Sequence, residues 1–527
     1  MLSSRFARVT SALACLILAS SALATDTIVN TSAGLRNAFN AAQPGDRILM
    51  APGTYTDTVY VDGTTGGTPD KPIIICAQDP KNPPVFDLVA SGGGLMTYGV
   101  SNFVFDGIIL KTAGAAVSNG FQVTFGHNVV LKNFYNVDTG TGSGNSAIKF
   151  TGCNNFLMYN VNTVRWGLCG VDMVGSAQGL FMNNKISNTL NASSGGVGIQ
   201  AKGGSFDIGM YNNTMTDCGN RVFNFGGSTG SSYFHQGNLA LGWENYDTVA
   251  MGNTIVRGSY PVSFSDCNNG HFEYNTVVNP ANAFLRILNE SPGVAPNPSA
   301  NGLYSHNLVQ YTSVGESVNG SGGIQSSFTF DGNYWYKTTN PAASVPNLVG
   351  TQINNVGGTN PQLDANYDPQ YTPAKAYGAD AAGKKAAWLT EVNKFQWSWD
   401  VAQSYLPQAQ PGATADGSGV TFDASASGLG ASSYGSNTLF SYGWDMNNDG
   451  VADVLGTSPM ISMSYADLAS RFGITQGTYN IGLIVSVTNE LGTVVPSDEI
   501  TTAITVPEPL TLALLGMGGL AMLRRRK

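Results

Sequence analysis

The repeat that decides the fold is VVLKNF at residues 129–134, where alternating apolar residues are followed by an Asn and another apolar residue. The pattern returns as FLMYNV at 156–161 and LFMNNKI at 180–186, and an earlier copy is FVFDGI at 103–108. The recurring residues are Asn133, Asn160, Asn184, Asn213, Asn253, Asn275, Asn307 and Asn333, with steps of 27, 24, 29, 40, 22, 32 and 26. A period in the twenties with strand-like pieces is typical of a solenoid that forms one coil per repeat.

This pattern predicts an all-β chain with a right-handed parallel β-helix over residues 25–380. One coil cannot bury its own apolar face, so coils must stack, and the Asn residues are expected to stack at one corner in a structural role. The wide step from 213 to 253 predicts an insertion, which in repeat folds often lies on the binding face. A sandwich or barrel is the alternative for evenly spaced short strands, but irregular coil lengths with a fixed corner Asn favour the solenoid. Residues 32–42 are predicted to form an amphipathic capping helix with Ser32 near its N-cap.

The first 24 residues are predicted to be a secretory signal peptide. Arg5 and Arg8 precede an apolar run over residues 12–19, and Ala22-Leu23-Ala24 is an A-x-A cleavage site. This order is typical of a signal peptide, so the mature chain is predicted to start at Thr25. A transmembrane anchor is the alternative, but the apolar run is shorter than the about 20 residues that span a bilayer.

Residues 507–527 have the composition of a sorting tail. Pro507-Glu508-Pro509 is followed by an apolar run to Leu523 and by the basic residues 524–527. The tail resembles the PEP-CTERM sorting signal. The resemblance implies a Gram-negative bacterium, export, contact with the membrane through the tail before processing, and cleavage by an exosortase-type protease; such systems usually accompany extracellular polysaccharide production. A plain C-terminal anchor is the alternative.

The composition excludes two classes of protein. Hydrophobic residues make up 42% and aromatic residues 10% of the chain, which is enough for a large core and argues against disorder although only 11% of residues are charged. The net charge of −9 includes no basic stripe or aromatic–basic motif, so nucleic acid is not expected as a partner.

Five cysteines remain in the mature chain, and their spacing matches no zinc pattern. Thiols buried in the β-helix are the preferred interpretation, and one disulfide formed after export is the alternative. The five are Cys76, Cys153, Cys169, Cys218 and Cys267.

The N-terminal part resembles the opening of pectin-lyase-like β-helix proteins. The resemblance is carried by LRNA at 35–38, QPGDRI at 43–48, PGTY at 52–55 and KPIII at 71–75. It is closest to the polysaccharide lyase family that contains chondroitinase B and some alginate lyases. A weaker resemblance covers about residues 27–375, and residues 360–380 resemble the closing turn of such helices.

The candidate catalytic residues are Lys202 and Arg221, which are 19 positions apart, about one coil, and are therefore expected near each other on one face. In the lyase family a Lys in a strand and an Arg roughly one coil later form the catalytic pair. The resemblance implies that Lys202 takes the proton next to a uronic acid carboxylate and that Arg221 assists the leaving oxygen. A Lys near another cation in a partly dehydrated groove has a lowered pKa, which suits a base, and positive charge stabilises the enolate-like intermediate.

The chain departs from this family just before the Lys. Calcium-using members carry two acidic residues there, whereas this chain has GGVG at 195–198. No cofactor is therefore clear in the β-helix, and Gln200, Arg257 and Arg286 become the candidates for binding the substrate. Four nearby polar residues are expected to be surface residues: His235, Glu244, Asp266 and Glu290. Four aromatic residues of the insertion stack on sugar rings or cover a coil edge: Tyr233, Phe234, Trp243 and Tyr246.

Residues 381–408 are predicted to be a linker with a short helix, and residues 409–506 a small β-sandwich, because strand-like runs alternate with turn signals. The second segment is similar to PKD domains through FDAS at 422–425, YGWD at 442–445 and NELG at 489–492. Within it, four residues have the alternate spacing of a calcium loop, although Gly456 stands where the bidentate Glu is expected. The sequence predicts a weak structural Ca²⁺ site there, with a polar turn as the alternative, at Asp445, Asn447, Asp449 and Asp453.

Two functions remain open from the sequence. The first is an exported carbohydrate enzyme, a uronic-acid polysaccharide lyase that uses β-elimination. The second is a non-catalytic surface or matrix protein that binds polysaccharide or has a structural role. A β-helix alone does not decide between them, because function depends on sites and not on folds. In both cases the expected partner is a polysaccharide and the expected location is the cell envelope, the outer surface or the medium.

Overall fold

The computed structural model describes residues 24–507, apart from 64–65, 89–92, 113–118, 142–143, 145, 192–194, 322–326, 408, 429–438, 449–451, 489–493 and 498. The predicted signal peptide and sorting tail therefore lie outside the described residues, except for Ala24 and Pro507. None of the helices formed by the described residues has the length and hydrophobicity that a membrane span needs.

Most strands are parallel and belong to three long sheets, named A, B and C here. Sheet A contains Asp26–Val29, Arg47–Met50, Ile73–Ala77, Ser101–Asp106, His127–Lys132, Asn154–Tyr159, Ala177–Met182, Ser205–Tyr211, Asn245–Met251, Cys267–Asn268, His271–Glu273, Leu303–Ser305, Thr329–Asp331 and Thr351–Ile353. Sheet B contains Thr54–Tyr55, Val85–Asp87, Ile109–Lys111, Val137–Asp138, Asn162–Arg165, Lys185–Ser187, Thr214–Thr216, Thr254–Val256, Thr276–Val278, Leu308–Tyr311, Tyr334–Lys337 and Val356–Gly357. Sheet C contains Val59–Asp62, Leu95–Tyr98, Phe121–Thr124, Ser146–Thr151, Cys169–Val174, Val197–Lys202, Arg221–Gly226, Tyr260–Ser265, Leu285–Leu288 and Val318–Ser321.

The chain passes through the sheets in the order A, B, C and then repeats, so that each central coil gives one strand to each sheet. This is the parallel β-helix that the repeat predicts. Inward side chains of all three sheets form one continuous apolar core, in which rings stack between coils; Phe272 and Tyr304, on adjacent strands of sheet A, have centroids 5.0 Å apart. Short 3-10 turns occur at Thr189–Asn191, Ser231–Tyr233, Asn238–Leu241, Pro341–Ala343, Thr372–Ala376 and Val392–Phe395.

The cysteines of the described chain are all free thiols. Four of them are buried, which confirms the preferred interpretation for Cys153, Cys169, Cys218 and Cys267. Cys76 is only half-buried.

The corner between sheets A and B carries two adjacent stacks of asparagine. Asn133 and Asn160 have left-handed backbones, with φ of 57° and 52°, and the Nδ2 of Asn160 donates to Oδ1 of Asn133 at 2.7 Å. From Asn184 onward the Asn of the repeat stands one position later and is fully buried. The single stack expected from the sequence is therefore two neighbouring stacks.

Every polar atom of the buried stack is used, as Asn253 shows. Its Nδ2 donates to Oδ1 of Asn275 and to the carbonyl of Met210, both at 2.9 Å. Its Oδ1 accepts from the backbone N–H and the Nδ2 of Asn213 at 2.8 and 2.9 Å. Each amide thus ties one coil to both of its neighbours, which confirms the structural role predicted for these residues.

Replacing Asn253 with Ala leaves the N–H of Asn213 and the carbonyl of Met210 without these partners. A buried polar group that loses its partner costs about 1–3 kcal/mol. We therefore expect Asn253→Ala to lower the free energy of unfolding by roughly 2–5 kcal/mol, measured by chemical denaturation. Asn366→Ala, at an exposed turn, is the control. Equal effects of the two substitutions would contradict the role of the stack.

The N-terminal end of the solenoid is closed by the helix Ser32–Ala41. Its N-cap is Thr31, one position before the predicted Ser32, and the Thr31 hydroxyl accepts a backbone N–H of the first turn. Leu35 and Phe39 are buried, and Phe39 stacks on Phe103 with ring centroids 4.9 Å apart. The helix therefore covers the apolar end of the first coils, as predicted.

Residues 384–405, named the helical segment here, pack on the outer face of sheet A. Two α-helices, Lys384–Glu391 and Gln396–Tyr405, flank the 3-10 turn Val392–Phe395. Their apolar side chains cover outward residues of several coils, among them Leu157, Tyr159, Leu180, Met182, Tyr211, Val249 and Met251. A linker with a short helix was predicted over residues 381–408; the structure has two helices in this range, and they pack along the solenoid.

A cluster of charges joins the helical segment to sheet A. His271 Nδ1 lies 3.2 Å from Oε1 of Glu273 and 3.6 Å from Oε1 of Glu391. Lys394 Nζ lies 2.6 Å from Oε2 of Glu391. Burial lowers the pKa of His271, but hydrogen bonds and charges of the two carboxylates outweigh it and raise the pKa to about 9. The cluster therefore holds a protonated imidazole at neutral pH.

Because the folded protein raises the pKa of His271 above the usual value of about 6.5, this group stabilises the fold most below pH 6.5. That contribution is lost as the pH rises through about 9. We expect the melting temperature of wild-type protein to fall more steeply between pH 7 and 10 than that of His271→Gln. His127→Gln, at an exposed position, is the control. Parallel profiles for wild type and His271→Gln would contradict the role of the cluster.

Residues 412–506 form two antiparallel sheets that share a separate core. One sheet contains Gly412–Ala415, Gly419–Asp423 and Met460–Ser464; the other contains Leu439–Asp445, Val454–Gly456, Gly477–Thr488, Val494–Pro496 and Ile500–Val506. The helix Tyr465–Phe472 follows Met460–Ser464, and the core includes Phe422, Trp444 and Leu468. These sheets have the arrangement of the predicted small β-sandwich, and the resemblance to PKD domains stays a prediction.

Candidate functional site on the outer face of sheet C

A row of polar side chains crosses the outer face of sheet C. Lys149, Asp172, Gln200 and Asn224 occupy the same position on four successive strands. Lys149 Nζ lies 2.7 Å from Oδ2 of Asp172, whose Oδ1 accepts a hydrogen bond from Nε2 of Gln200 at 3.0 Å. Oε1 of Gln200 in turn accepts from Nδ2 of Asn224 at 2.9 Å. The row is thus held by its own hydrogen bonds, and it continues with Ser263, Arg286 and Asn319.

The structure does not bring Lys202 and Arg221 together, so the expectation that they lie close to each other is wrong. Arg221 is paired with Val197, whereas Lys202 stands five residues further along the strand that begins at Val197. At about 3.3 Å per residue, the two Cα positions are about 16 Å apart along the strand direction. Lys202 and Arg221 are about one coil apart in sequence, so they lie on neighbouring strands, but they lie at opposite ends of those strands.

Arg221 and Arg286 share one carboxylate at their end of the face. Nη1 of Arg221 lies 3.6 Å from Oε1 of Glu290, and Nη2 of Arg286 lies 3.7 Å from the same oxygen. The guanidinium of Arg286 also lies 4.9 Å from the centroid of the Tyr260 ring, and its Nε donates to Oδ1 of Asn319 at 3.1 Å. Burial and the charge of Arg221 lower the pKa of Arg286 from its ordinary value. The two arginines thus form a compact basic group with one shared acid.

Lys202 lies at the opposite end, where the insertion after sheet C begins. Gly227 lies close to this end of the row. A Cβ atom added to Gly227 would be 3.5 Å from Cδ of Lys202 and from Nδ2 of Asn224, and 3.6 Å from Oε1 of Gln200. Lys149, Arg221 and Arg286 each have an ion-pair partner, whereas none of the described carboxylates forms an ion pair with Lys202. Lys202 itself is half-buried.

Glu244 fixes the insertion beside Lys202. It is fully buried, and its two oxygens accept the backbone N–H groups of Gly203 at 2.7 Å and Thr229 at 2.8 Å. Burial raises its pKa above the ordinary value. The sequence analysis expected a surface residue, whereas Glu244 is an internal brace between the strand end and the insertion.

Asp266 has the same role on a later coil and is also buried, against expectation. Its Oδ2 accepts the N–H groups of Glu290 at 2.8 Å and Ser291 at 2.9 Å. These bonds place Glu290 beside the two arginines. Burial raises the pKa of Asp266 to about 7, and the charges of Glu244 and Glu290 act in the same direction.

The other predicted residues are spread over the molecule. Arg257 is outside this face: it follows a strand of sheet B and binds Asp217 through two hydrogen bonds of 2.6 Å. His235 is half-buried, and its Nε2 lies 3.2 Å from Oδ1 of Asn154. Of the insertion aromatics, Tyr246 stacks on Phe206 with centroids 5.0 Å apart and covers a coil edge. Tyr233, by contrast, is 64% exposed.

Three of the four residues proposed for Ca²⁺ lie in one turn of the C-terminal sandwich. Oδ1 of Asp445 accepts the N–H groups of Asn447 at 3.1 Å and Asn448 at 2.7 Å, and Oδ2 of Asp453 accepts that of Met446 at 2.8 Å. Asp449 lies outside the described residues. These bonds are those of a polar turn, and the Ca²⁺ site stays a prediction.

Two other places on the molecule have groups that could bind a ligand, but charged side chains there are ion-paired with each other. A cavity of about 570 Å³ lies on the outer face of sheet A beside Trp397 and Tyr405, and its Lys132 and Asp106 pair at 3.2 Å. His271, Glu273 and Glu391 could together hold a metal ion, since one ligand atom from each lies within 4.8 Å of the others. Lys394 already neutralises Glu391 there. We therefore place the candidate site on sheet C.

Lys149, Asp172 and Asn224 were not among the site residues predicted from the sequence. A signal was present, because each is a polar residue inside an apolar strand, and the three steps Lys149–Asp172–Gln200–Asn224 of 23, 28 and 24 residues match the coil period. No periodic pattern in the sequence marks Glu244 or Asp266, because both accept backbone N–H groups whose positions depend on the path of the loops.

The chain is thus a parallel β-helix protein whose candidate site is a mainly basic outer face of one sheet. Its residues 505–527 match the PEP-CTERM protein-sorting motif. The motif indicates an exported protein that is sorted to the cell surface by an exosortase-type system. No curated protein has a sequence that matches this chain.

Several solved structures are similar to this chain. The PL6 family alginate lyase AlyGC is 15% identical with a TM-score of 0.35, and the match covers 67% of this chain and 56% of AlyGC. This chain therefore spans little more than half of that protein's length. A PL6 family polysaccharide lyase from Pseudopedobacter saltans is 16% identical with a TM-score of 0.34, covering 67% of this chain and 99% of that protein. The Dettilon tailspike protein is 11% identical with a TM-score of 0.40, covering 86% and 76%.

The buried carboxyl of Asp266 predicts a pH-dependent stability. Its folded pKa of about 7 is above the unfolded value, so the fold gains stability from this group at low pH and loses it as the pH rises from about 4 through 7. We expect Asp266→Asn to raise the melting temperature relative to wild type at pH 8 more than at pH 5. Asp400→Asn, on an exposed helix position, is the control. A difference that does not change with pH would contradict this assignment.

Proposed function

We propose that this exported protein binds an acidic polysaccharide along the outer face of sheet C. The observation that carries the proposal is the unpaired ammonium of Lys202 on a face where the other strand cations are ion-paired. A half-buried cation held by a rigid sheet attracts an anion without first breaking an internal ion pair.

The distribution of charge supports an anionic ligand. The whole chain has a net charge of −9. The sheet C strands between Ser146 and Leu288 nevertheless carry Lys149, Lys202, Arg221 and Arg286 against Asp172, with Glu290 beside the two arginines and the buried Glu244 beside Lys202. Local positive charge of this kind raises the local concentration of an anionic ligand. A repeating acidic polymer could contact cations at both ends of the face.

The amide row supports the rigidity of the face and not contact with the ligand. Asp172 is 2%, Gln200 7% and Asn224 0% exposed, so these side chains lie beneath the surface. They are fixed by hydrogen bonds to one another, and they hold the strands that carry the cations. Groups that are ordered before binding lower the entropic cost of association.

A second candidate function is β-elimination with Lys202 as the base, and the absence of an ion pair to Lys202 among the described carboxylates favours it. Arg221 is too distant to assist the same leaving oxygen, as the register of the two strands shows. Elimination at this site therefore needs another proton donor, and the Lys202/Arg221 pair implied by the lyase resemblance does not carry the proposal.

Binding is tested with residues 25–506 and a panel of alginate, polygalacturonate and chondroitin sulfate. We expect Lys202→Met to weaken binding about fivefold, because one charge contact of about 1 kcal/mol is lost, and to reduce the salt dependence. Lys185→Met removes the same charge from an exposed position on sheet B and is the control. Wild-type protein that binds no acidic polysaccharide, or equal effects of the two substitutions, would refute the proposal.

The same incubations separate binding from elimination. An unsaturated uronate product absorbs in the ultraviolet, and a rise with wild type that Lys202→Met abolishes would establish elimination with Lys202 as its base. A flat trace for a polysaccharide that wild type binds would leave the binding function and reject the elimination.

A further inference from the structure

The corner between sheets C and A contains a bulky residue at a position that is mostly glycine; in a later coil Asp266 occupies it. In five successive coils the residue after the sheet C strand has a left-handed backbone. Four of these residues are glycine, and the exception is Phe125: the series is Gly99, Phe125, Gly152, Gly175 and Gly203, with φ of 68°, 54°, 62°, 60° and 67°.

The position is a poor one for a bulky residue. A left-handed backbone brings Cβ close to the neighbouring carbonyl, which is why glycine is favoured there and why an aromatic residue with positive φ is a true outlier. Burial does not compensate for this strain, because 54% of Phe125 is exposed. Folding alone therefore gives no reason for Phe at this corner.

The surroundings of Phe125 hold its ring in one place. A Cβ atom on Gly152 would collide with the ring, so the glycine of the next coil leaves the space that the ring occupies. On the other side Tyr98, itself 42% exposed, packs edge to face against Phe125 with ring centroids 5.3 Å apart. Two exposed aromatic rings are thus fixed side by side at the border of sheet C.

The two rings are aligned with the candidate site. Tyr98 pairs with Thr124, and the same position on the following strands is Thr151, Val174 and finally Lys202. Four strand spacings of about 4.8 Å put Tyr98 about 19 Å from Lys202 along the solenoid axis. Thr124 and Thr151 are half-buried, whereas Val174 is buried and the backbone of Tyr233 and His235 lies against Gly175 beside it, so the insertion borders the Lys202 end of this path.

We propose that Phe125 and Tyr98 form a stacking subsite for a sugar ring of the acidic polysaccharide whose charge is bound at Lys202. The inference rests on the proposed function and adds a second contact point on the same ligand. Flat aromatic rings bind the apolar face of a sugar while its hydroxyl groups stay in water, and rigid aromatic side chains lose little entropy on binding. The strained backbone is retained because it presents the ring to the ligand.

The test compares Phe125→Gly with wild type in two measurements. Glycine suits a φ of 54°, so we expect an equal or higher melting temperature for the variant. We also expect its affinity for the polysaccharide that wild type binds best, among alginate, polygalacturonate and chondroitin sulfate, to fall about three- to tenfold, as for a lost aromatic contact. The salt dependence should not change, because the ring has no charge. Phe125→Tyr should retain the affinity.

Two further variants complete the design. Tyr98→Thr copies the residue of the next strand in register and should also weaken binding. Leu455→Ser removes an apolar side chain that is 76% exposed on the C-terminal sandwich and should have no effect on binding. Wild-type affinity for Phe125→Gly, with Lys202→Met still weakened, overturns the subsite and leaves the proposed function standing. A melting temperature of Phe125→Gly several degrees below wild type also overturns it, because the ring then serves folding. Wild type that binds none of the polysaccharides overturns both proposals.

Discussion

The buried stack of asparagine side chains between sheets A and B fixes how each coil sits on the next. Asn253 finds all its hydrogen-bond partners only when Asn213 and Asn275 lie directly above and below it. A slip of one residue would leave amides and backbone groups unsatisfied inside the protein, and buried polar networks are costly when they are incomplete. The stack therefore specifies the register in a solenoid whose apolar contacts alone would tolerate sliding. The rows on sheet C depend on that register, since Lys149, Asp172 and Gln200 meet only if their strands are aligned.

The outer faces of the sheets differ because their outward residues differ. Sheet A presents Leu157, Leu180 and Val249, which need cover, and the helical segment provides it. Sheet C carries charged and amide side chains that satisfy one another, and Gly227 at the start of the insertion lies over part of this row. The rigidity of this polar face comes from hydrogen bonds that already exist in the folded protein. The buried carboxyl groups of Glu244 and Asp266 act behind this face, where they hold the loops that border it.

The sequence predicted those features that are periodic. The coil period, the corner Asn residues and the capping helix all follow from patterns that repeat or stand next to each other along the chain. The position of Lys202 relative to Arg221 could not be predicted, because a separation of about one coil fixes neighbouring strands but not where each strand begins. Arg221 is the first residue of its strand and Lys202 the last residue of its own. The packing of residues 384–405 was missed for a related reason: amphipathic helices after a repeat domain do not reveal in sequence which sheet they cover. Phe125 was missed because only the aligned corner glycines show that it is exceptional.

The helical segment also changes how the solenoid responds to force and to partial unfolding. Coils of a solenoid normally contact only their neighbours, so such proteins tend to unravel from one end. Here Ser398 donates to carbonyls of Phe156 and Gln178, Lys384 bonds to Asn212, and Glu391 lies beside His271. One continuous stretch of chain thus fastens coils that are more than a hundred residues apart. A pull transmitted from the C-terminal sandwich reaches the middle of the solenoid before it reaches the last coil, and the coils between Phe156 and His271 are coupled into a single cooperative unit. Because its partners lie on separate coils, this fastening needs those coils to be stacked on one another.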